Sequence, residues 1–315
     1  MTKKTFVMIA VLLLILLTAC TADIHTGSVA GFDYEEKEDG SIMITDYQGT
    51  DTNVVIPATI KGKRVTQIDV LAFFHNRTMV SVEIPDSVTF IDDRAFEACT
   101  LLSSVSLPQG LQSMGEGVFR GCEKLSAVTL PDTLTVLGEA TFMSCTSLTH
   151  IRIPKGMTEI GRNAFLDSGL ETVDWEEGIK TIGDDAFACT KIKAIILPQS
   201  VRKLASGAFY ACANLESVTL NEGLTTIDWT VFGGPSKLTE IVIPASVTQM
   251  NEMTFQNSTT IEVVKFEGNA PENYQDEESE RYKNTLKDLH YTVYYHASAT
   301  GFTSPEWCGY QTAIW

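Results

Sequence analysis

Apolar and polar residues alternate in short runs that return at a fixed interval along this chain. Val82/Ile84, Val105/Leu107, Val128/Leu130, Ile151/Ile153, Ile195/Leu197, Val218/Leu220 and Ile241/Ile243 bracket Glu83, Ser106, Thr129, Arg152, Ile196, Thr219 and Val242. A period of two over so short a run predicts a half-buried strand. Pro85, Pro108, Pro131, Pro154, Pro198 and Pro244 follow at once, and a residue without a backbone N–H cannot extend a ladder, so each strand stops there. Nine phenylalanines keep step with the strands: Phe73, Phe96, Phe119, Phe142, Phe165, Phe187, Phe209, Phe232 and Phe255, at intervals of 23, 23, 23, 23, 22, 22, 23 and 23. A period of this length marks stacked coils, none of which buries its apolar face alone. Function in such a chain belongs to a surface and not to a pocket.

Two further positions repeat. Four residues before each Phe stand Asp69, Asp92, Gly115, Gly138, Gly161, Gly183, Ala205, Asp228 and Asn251, mostly residues that tolerate a left-handed or bridging backbone, which predicts a sharp corner. A small residue such as Ala95, Val118, Thr141, Ala164, Ala186 or Ala208 precedes each ring and suits a tight helical turn pressing it inward. The rings should then stack into one spine.

The unit Cys122-x-x-Leu125-x-x-Val128-x-Leu130-Pro131-x-x-Leu134-x-x-Leu137-Gly138-x-x-x-Phe142 resembles the repeats of BspA-like leucine-rich repeat proteins of bacterial cell surfaces. The resemblance covers roughly Val54 to Ile261. It implies a β-rich, right-handed leucine-rich repeat solenoid of about nine coils of 22–23 residues, with parallel strands, short helical turns and capped ends. The chain departs from the general leucine-rich consensus, with Gly110, Gly156 and Gly223 where an Asn is usual. The coil at Leu170 departs most, since Trp175 and Glu176 replace Leu-Pro; it should bend the solenoid or present something.

Domain boundaries follow from where the repeat starts and fails. Lys3 and Lys4 precede an apolar run from Phe6 to Leu17 that is short for a membrane span, and Leu17-Thr18-Ala19-Cys20 follows, the pattern of a bacterial lipobox. Residues 1–19 read as a signal peptide, Cys20 as the lipidated residue and 20–31 as a linker. Residues 32–53 form a hairpin cap around Asp39-Gly40, 54–261 the solenoid and 262–315 a C-terminal cap. Within that cap the pattern predicts a loop from Asn269 to Glu278, a helical stretch from Glu280 to Leu289 and a strand over Tyr291–Tyr295, then an aromatic tail ending on Trp315.

Charge and cysteine usage exclude more than they assign. Removing residues 1–19 takes away two lysines and no acid, so the formal charge moves from −17 to −19 (21 basic against 40 acidic). Nucleic acid is therefore excluded as a partner. Counted back from the following strand, Asn76, Cys99, Cys122, Cys145, Asp167, Cys189, Cys212, Pro235 and Ser258 are equivalent. Side chains stacked in parallel register point the same way, which predicts buried free thiols and not disulfides. No Cys-x-x-Cys pair or clustered histidine suggests a metal, and His25, His75, His150, His290 and His296 share no coil with a matched nucleophile and acid. No cofactor and no enzymatic activity are expected.

The outward strand positions are then the candidate surface, because one residue per coil projects from a rigid sheet. His150, Arg152, Asp174, Lys193, Ile196 and Val242 make the middle coils the candidate contact zone for a protein partner, although such residues also serve as ordinary strand formers. The resemblance implies adhesion to host extracellular-matrix proteins or to other bacterial surfaces. The alternative is a glycan-binding or envelope-structural lipoprotein without a host protein partner. Exposed rings are lacking at the central strand positions, which favours protein over sugar.

Overall fold

The computed structural model describes residues 26–272 and 291–315. The expected signal peptide, Cys20, His25, His290 and the helical stretch over Glu280–Leu289 lie outside the described residues. The rest winds into a parallel β-solenoid of about eleven turns, with strands on two faces.

The predicted Val-x-Leu strands form the long-strand face. Asn53–Val55, Ser81–Glu83 and Ser104–Ser106 pair in parallel, as do His150–Ile153 with Thr172–Trp175, Ala194–Ile196 with Ser217–Thr219, and Glu240–Ile243 with Val263–Phe266. Prolines end these strands as expected and then start a turn, in which Val88 donates its N–H to Pro85 O at 2.9 Å and Met157 to Pro154 O at 3.0 Å. The coil whose repeat is clearest in sequence is the exception: around Val128 it has only an isolated bridge, Ala127 to Ser104.

A second parallel ladder, the short-strand face, follows each turn. Its two-residue strands begin with Phe90–Ile91 and Ser113–Met114, which pair with each other; after a break, Val136–Leu137, Glu159–Ile160, Thr181–Ile182, Lys203–Leu204, Thr226–Ile227 and Gln249–Met250 pair without interruption. The residue just beyond each strand, expected to adopt a left-handed or bridging backbone, is not left-handed. Left-handed residues stand two before and two after the rings instead, as with Arg94 (φ 56°) and Ala98 (φ 57°) around Phe96. Where glycine stands at the earlier position the coils approach closely: a Cβ on Gly138 would meet Gly115 O at 2.8 Å, on Gly161 Leu137 O at 2.6 Å and on Gly183 Ile160 O at 2.8 Å.

The expected short helical turns around the rings are also corrected. Among the described residues the helix is a single 3-10 segment, Glu252–Phe255. At the other rings the alternation of left- and right-handed residues aims every second N–H at the next coil. Leu71, Phe73 and His75 thus donate to Asp93, Ala95 and Glu97 carbonyls at 3.1, 2.7 and 2.9 Å. A helix would turn these N–H groups back on its own chain. The rings stack as predicted, with centroids 4.7 Å apart at Phe73/Phe96, 5.6 Å at Phe119/Phe142 and 6.2 Å at Phe232/Phe255.

The stack runs beyond the nine expected coils, and three tyrosines continue the spine at irregular spacing. Tyr47 lies 5.4 Å from Phe73, Tyr291 5.7 Å from Phe255 and Tyr310 4.3 Å from Tyr291. Parallel pairing likewise runs on through Thr292–Tyr295 and Tyr310–Ile314. At the other end Thr26–Val29, expected as linker, is a strand antiparallel to Phe32–Glu36, which pairs in turn with Ile42–Tyr47 across the Asp39-Gly40 turn.

One rung needs reassignment. Cys99, Cys122, Cys145 and Cys212 are buried, and each thiol donates to the carbonyl of an earlier ring: Phe73, Phe96, Phe119 and Phe187 at 3.1, 3.2, 3.2 and 3.3 Å. In the two shorter coils the equivalent residues are Ser168 and Thr190, both buried, while Asp167 and Cys189 are exposed left-handed residues. The missing residue lies after the rung, so counting back from the strand misplaces it by one. Thr190 Oγ1 donates to Phe187 O at 2.9 Å. Cys99, Cys122, Cys145, Cys189 and Cys212 are free thiols.

Candidate partner-binding face

The outward positions of the long strands are exposed from Glu83 to Thr219, whereas Val242 and Lys265 are half-buried. In the middle coils the charged members are tied together across neighbouring coils. His150 Nδ1 lies 3.0 Å from Thr172 Oγ1 and its Nε2 3.4 Å from Asp174 Oδ2. Arg152 reaches Asp132 at 3.3 Å and also Glu176, whose hydrogen bond holds the guanidinium pKa up. Lys193 pairs with Glu171 at 3.2 Å and Lys237 with Glu216 at 3.2 Å. Most of the cations expected to reach for a partner are thus occupied by carboxylates of this chain, in exposed pairs that solvent screens.

Ile196 is different. Its side chain is 69% exposed, more than any other large apolar residue described. It borders a hollow of 490 Å³ lined by Val173, Asp174, Trp175, Glu177, Ile196, Leu197, Pro198 and Gln199. Of the predicted contact residues the structure brings Asp174 and Ile196 to this hollow, with His150 against Asp174. Lys193 turns to Glu171, and Val242 stands farther along the face beside Lys265. Trp175, Glu177 and Pro198 were not singled out as contact residues, although Trp175 in a Leu position was the visible signal. Glu177 accepts the backbone N–H groups of Gln199 at 3.0 Å and Ser200 at 2.9 Å, which holds its carboxyl below the usual range.

The short-strand face carries a smaller hollow, 270 Å³, lined by Lys203, Thr226, Ile227, Asp228, Trp229, Gln249, Met250 and Asn251. Its polar groups interlock, with Lys203 3.7 Å from Asp228 and Thr226 Oγ1 3.3 Å from Gln249 Oε1. Among the described residues no group of three His, Cys, Asp or Glu is placed to hold a metal ion, and no helix is long and apolar enough to cross a membrane.

Stacked parallel coils, a phenylalanine spine and leucine-type strand positions define a leucine-rich repeat solenoid. The chain matches the BspA type leucine rich repeat region in six copies, over residues 66–190, 142–262 and 180–286, and belongs to this family. It is similar to the leucine rich repeat protein of T. pallidum, with 30% identity, 66% of this chain and 88% of that chain covered, and a TM-score of 0.51. A leucine-rich repeat protein from Eubacterium ventriosum shares the fold at 21% identity, covering 86% of this chain and 78% of that chain with a TM-score of 0.50. A leucine rich cell surface protein from Faecalibacterium prausnitzii aligns at 20% identity over 89% of this chain and 97% of that chain, with a TM-score of 0.44. Comparison with curated proteins gives no match.

Proposed function

We propose that the chain is an extracytoplasmic, lipid-anchored module that binds a partner protein on its long-strand face. The observation that carries this is the solvent-exposed Ile196 at mid-solenoid, beside a hollow on a face held rigid by the stacked rings. Such an apolar residue on a fixed scaffold gains from being covered, and little ordering entropy opposes that gain. Solenoids of this class commonly use the strand surface for recognition. Matrix proteins and other bacterial surface proteins are the partners to screen first, because the family resemblance points to them. The Ile196→Glu variant of the full chain should lose at least tenfold in affinity for the captured protein, while Trp229→Ala keeps it. Unchanged binding by Ile196→Glu overturns the assignment of the face.

Anchoring rests on the lipobox pattern ending at Cys20. A Cys20→Ser chain should move from the detergent phase to the soluble extracytoplasmic fraction; retention in detergent defeats the lipoprotein assignment. A second reading, glycan binding, has its own observation in the Trp229 hollow, where an indole and several polar groups meet. On a glycan array that reading requires binding that Trp229→Ala removes.

A further inference from the structure

The long-strand face opens midway along the solenoid. Thr172–Trp175 pairs with His150–Ile153, but among the described residues no ladder joins it to Ala194–Ile196. Between the same two coils the short-strand ladder is intact, Thr181–Ile182 against Lys203–Leu204. The side chains at this opening are distinctive. Trp175 fills the position taken by Ile84, Ile153, Leu197 and Ile243, which are buried, and by Leu220, which is half-buried. Its indole is half-buried, edge-on to Phe187 at 5.4 Å, and Val173 beside it is half-buried too. The gap becomes the 490 Å³ hollow, with Val173, Trp175, Leu197 and Pro198 contributing apolar surface and Asp174, Glu177 and Ile196 accompanying them.

The charge around this hollow is one-sided. Glu171 is matched by Lys193 and Glu176 by Arg152. Asp174 faces His150, and Glu177 takes backbone N–H groups. The guanidinium nearest Glu177, that of Arg202, donates to the carbonyls of Gln199 and Val201 at 2.7 and 3.1 Å; its charge helps hold the Glu177 carboxyl down but forms no ion pair with it. Two carboxylates therefore border an apolar surface without a lysine or arginine ion pair.

We propose that this hollow is the subsite for a lysine or arginine side chain flanked by an aliphatic residue, presented by an extended segment of a partner protein. This rests on the protein-binding reading above and gives it a chemistry. The methylene stem of a Lys or Arg packs on Trp175 and Pro198 while its charged head reaches Asp174 or Glu177, and the neighbouring aliphatic residue covers Ile196. The strand edge left without a ladder partner offers backbone groups to an extended segment. A net charge of −17 also steers cationic partners in and acidic ones away.

Binding of fluorescein-labelled hexapeptides to the full chain in detergent micelles tests the proposal. Peptides with a central Lys-Leu or Arg-Leu should bind more tightly than the same peptides with Glu-Leu or Lys-Ser, and more weakly as salt is raised. The double variant Asp174→Asn/Glu177→Gln keeps side-chain hydrogen-bonding capacity at both positions, and its thermal melt should match the parent. It should lose about fivefold in affinity for the Lys-Leu peptide. Equal binding of Glu-Leu and Lys-Leu peptides, or an unaffected double variant, overturns the cationic subsite. If the peptides fail while Ile196→Glu still abolishes binding of a captured protein, the subsite is wrong and the binding face stands. If Ile196→Glu has no effect on any partner, both are wrong.

Discussion

The two faces of the solenoid are made by the same coils, yet from Val136 onward the short-strand ladder is continuous and the long-strand ladder is broken. From Val136–Leu137 to Gln249–Met250 the short strands pair at every step, while the long strands over the same coils part on either side of the Ala194–Ile196 and Ser217–Thr219 pair. The difference lies in what each face asks of its side chains. The short-strand corners bring backbone against backbone, and Gly138, Gly161 and Gly183 allow it by lacking a Cβ. Inward positions of the long strands must instead accept whole side chains, from Val82 to Trp175. The short ladder also runs on past Ala205, Asp228 and Asn251, and the long-strand opening beside Trp175 coincides with the largest inward side chain.

The comparison requires a spine that supports both faces, and breaking the spine should have the largest effect. Phe142 is fully buried, with rings 5.6 and 5.5 Å away on its two sides. Phe142→Ala should cost about 3–5 kcal/mol in denaturant melts. A loss below about 1 kcal/mol, typical of surface changes, would place the ring outside the core.

The continuous face is probed by Gly161→Ala. Its new Cβ would lie 2.6 Å from Leu137 O and 2.9 Å from Gly138 C, so the coils must shift, at about 1–3 kcal/mol. Hydrogen exchange should quicken at Glu159–Ile160 and in the adjoining short strands. Unchanged exchange there would mean that close backbone approach is not what keeps this ladder whole.

The thiol rung behind the rings gives a third test through pH. Burial pushes Cys99 and Cys145 up to about 12 and Cys212 to about 11, from an ordinary value of 9.0. The unfolded chain therefore releases these protons first. Their contribution is intact below pH 9.0 and is lost as pH rises toward the folded values, with a limiting slope of about 1.4 kcal/mol per thiol per pH unit. Denaturant melts across this range should fall more steeply for the parent than for the Cys99→Ala/Cys145→Ala/Cys212→Ala variant. Equal slopes would show that the thiols ionise alike in both states.

On the broken face, Ile196→Ala should change stability by less than about 0.5 kcal/mol, since the side chain is mostly in water. Stability lost on the scale of a core truncation would make Ile196 part of the packing and remove it as a contact residue.

Much of the architecture was legible because it is periodic. The ring interval, the Val-x-Leu alternation and the prolines each act through local physics, and they located the long strands and the aromatic spine. The short-strand face was missed because a two-residue strand has too few positions to show an alternation. Glycines beside it were assigned to backbone strain when they answer to the neighbouring coil. Tyr47, Tyr291 and Tyr310 escaped the count because they extend the spine at other spacings. On the contact face the sequence marked Asp174 and Ile196 as outward residues and Trp175 as a departure, and nothing in one dimension joined them.

By itself the sequence determined the class of fold, its direction of stacking and the burial of one ring per coil, because a repeat imposes the same local choice many times and neighbours reinforce it. Only the tertiary structure decided where the ladders break, which of two adjacent residues (Asp167 or Ser168, Cys189 or Thr190) enters the rung in the shorter coils, and which carboxylates are already paired. Those outcomes depend on the distance between one coil and the next. That distance is set by side-chain volume and backbone contact across residues far apart in the chain, and no pattern within a single repeat contains it.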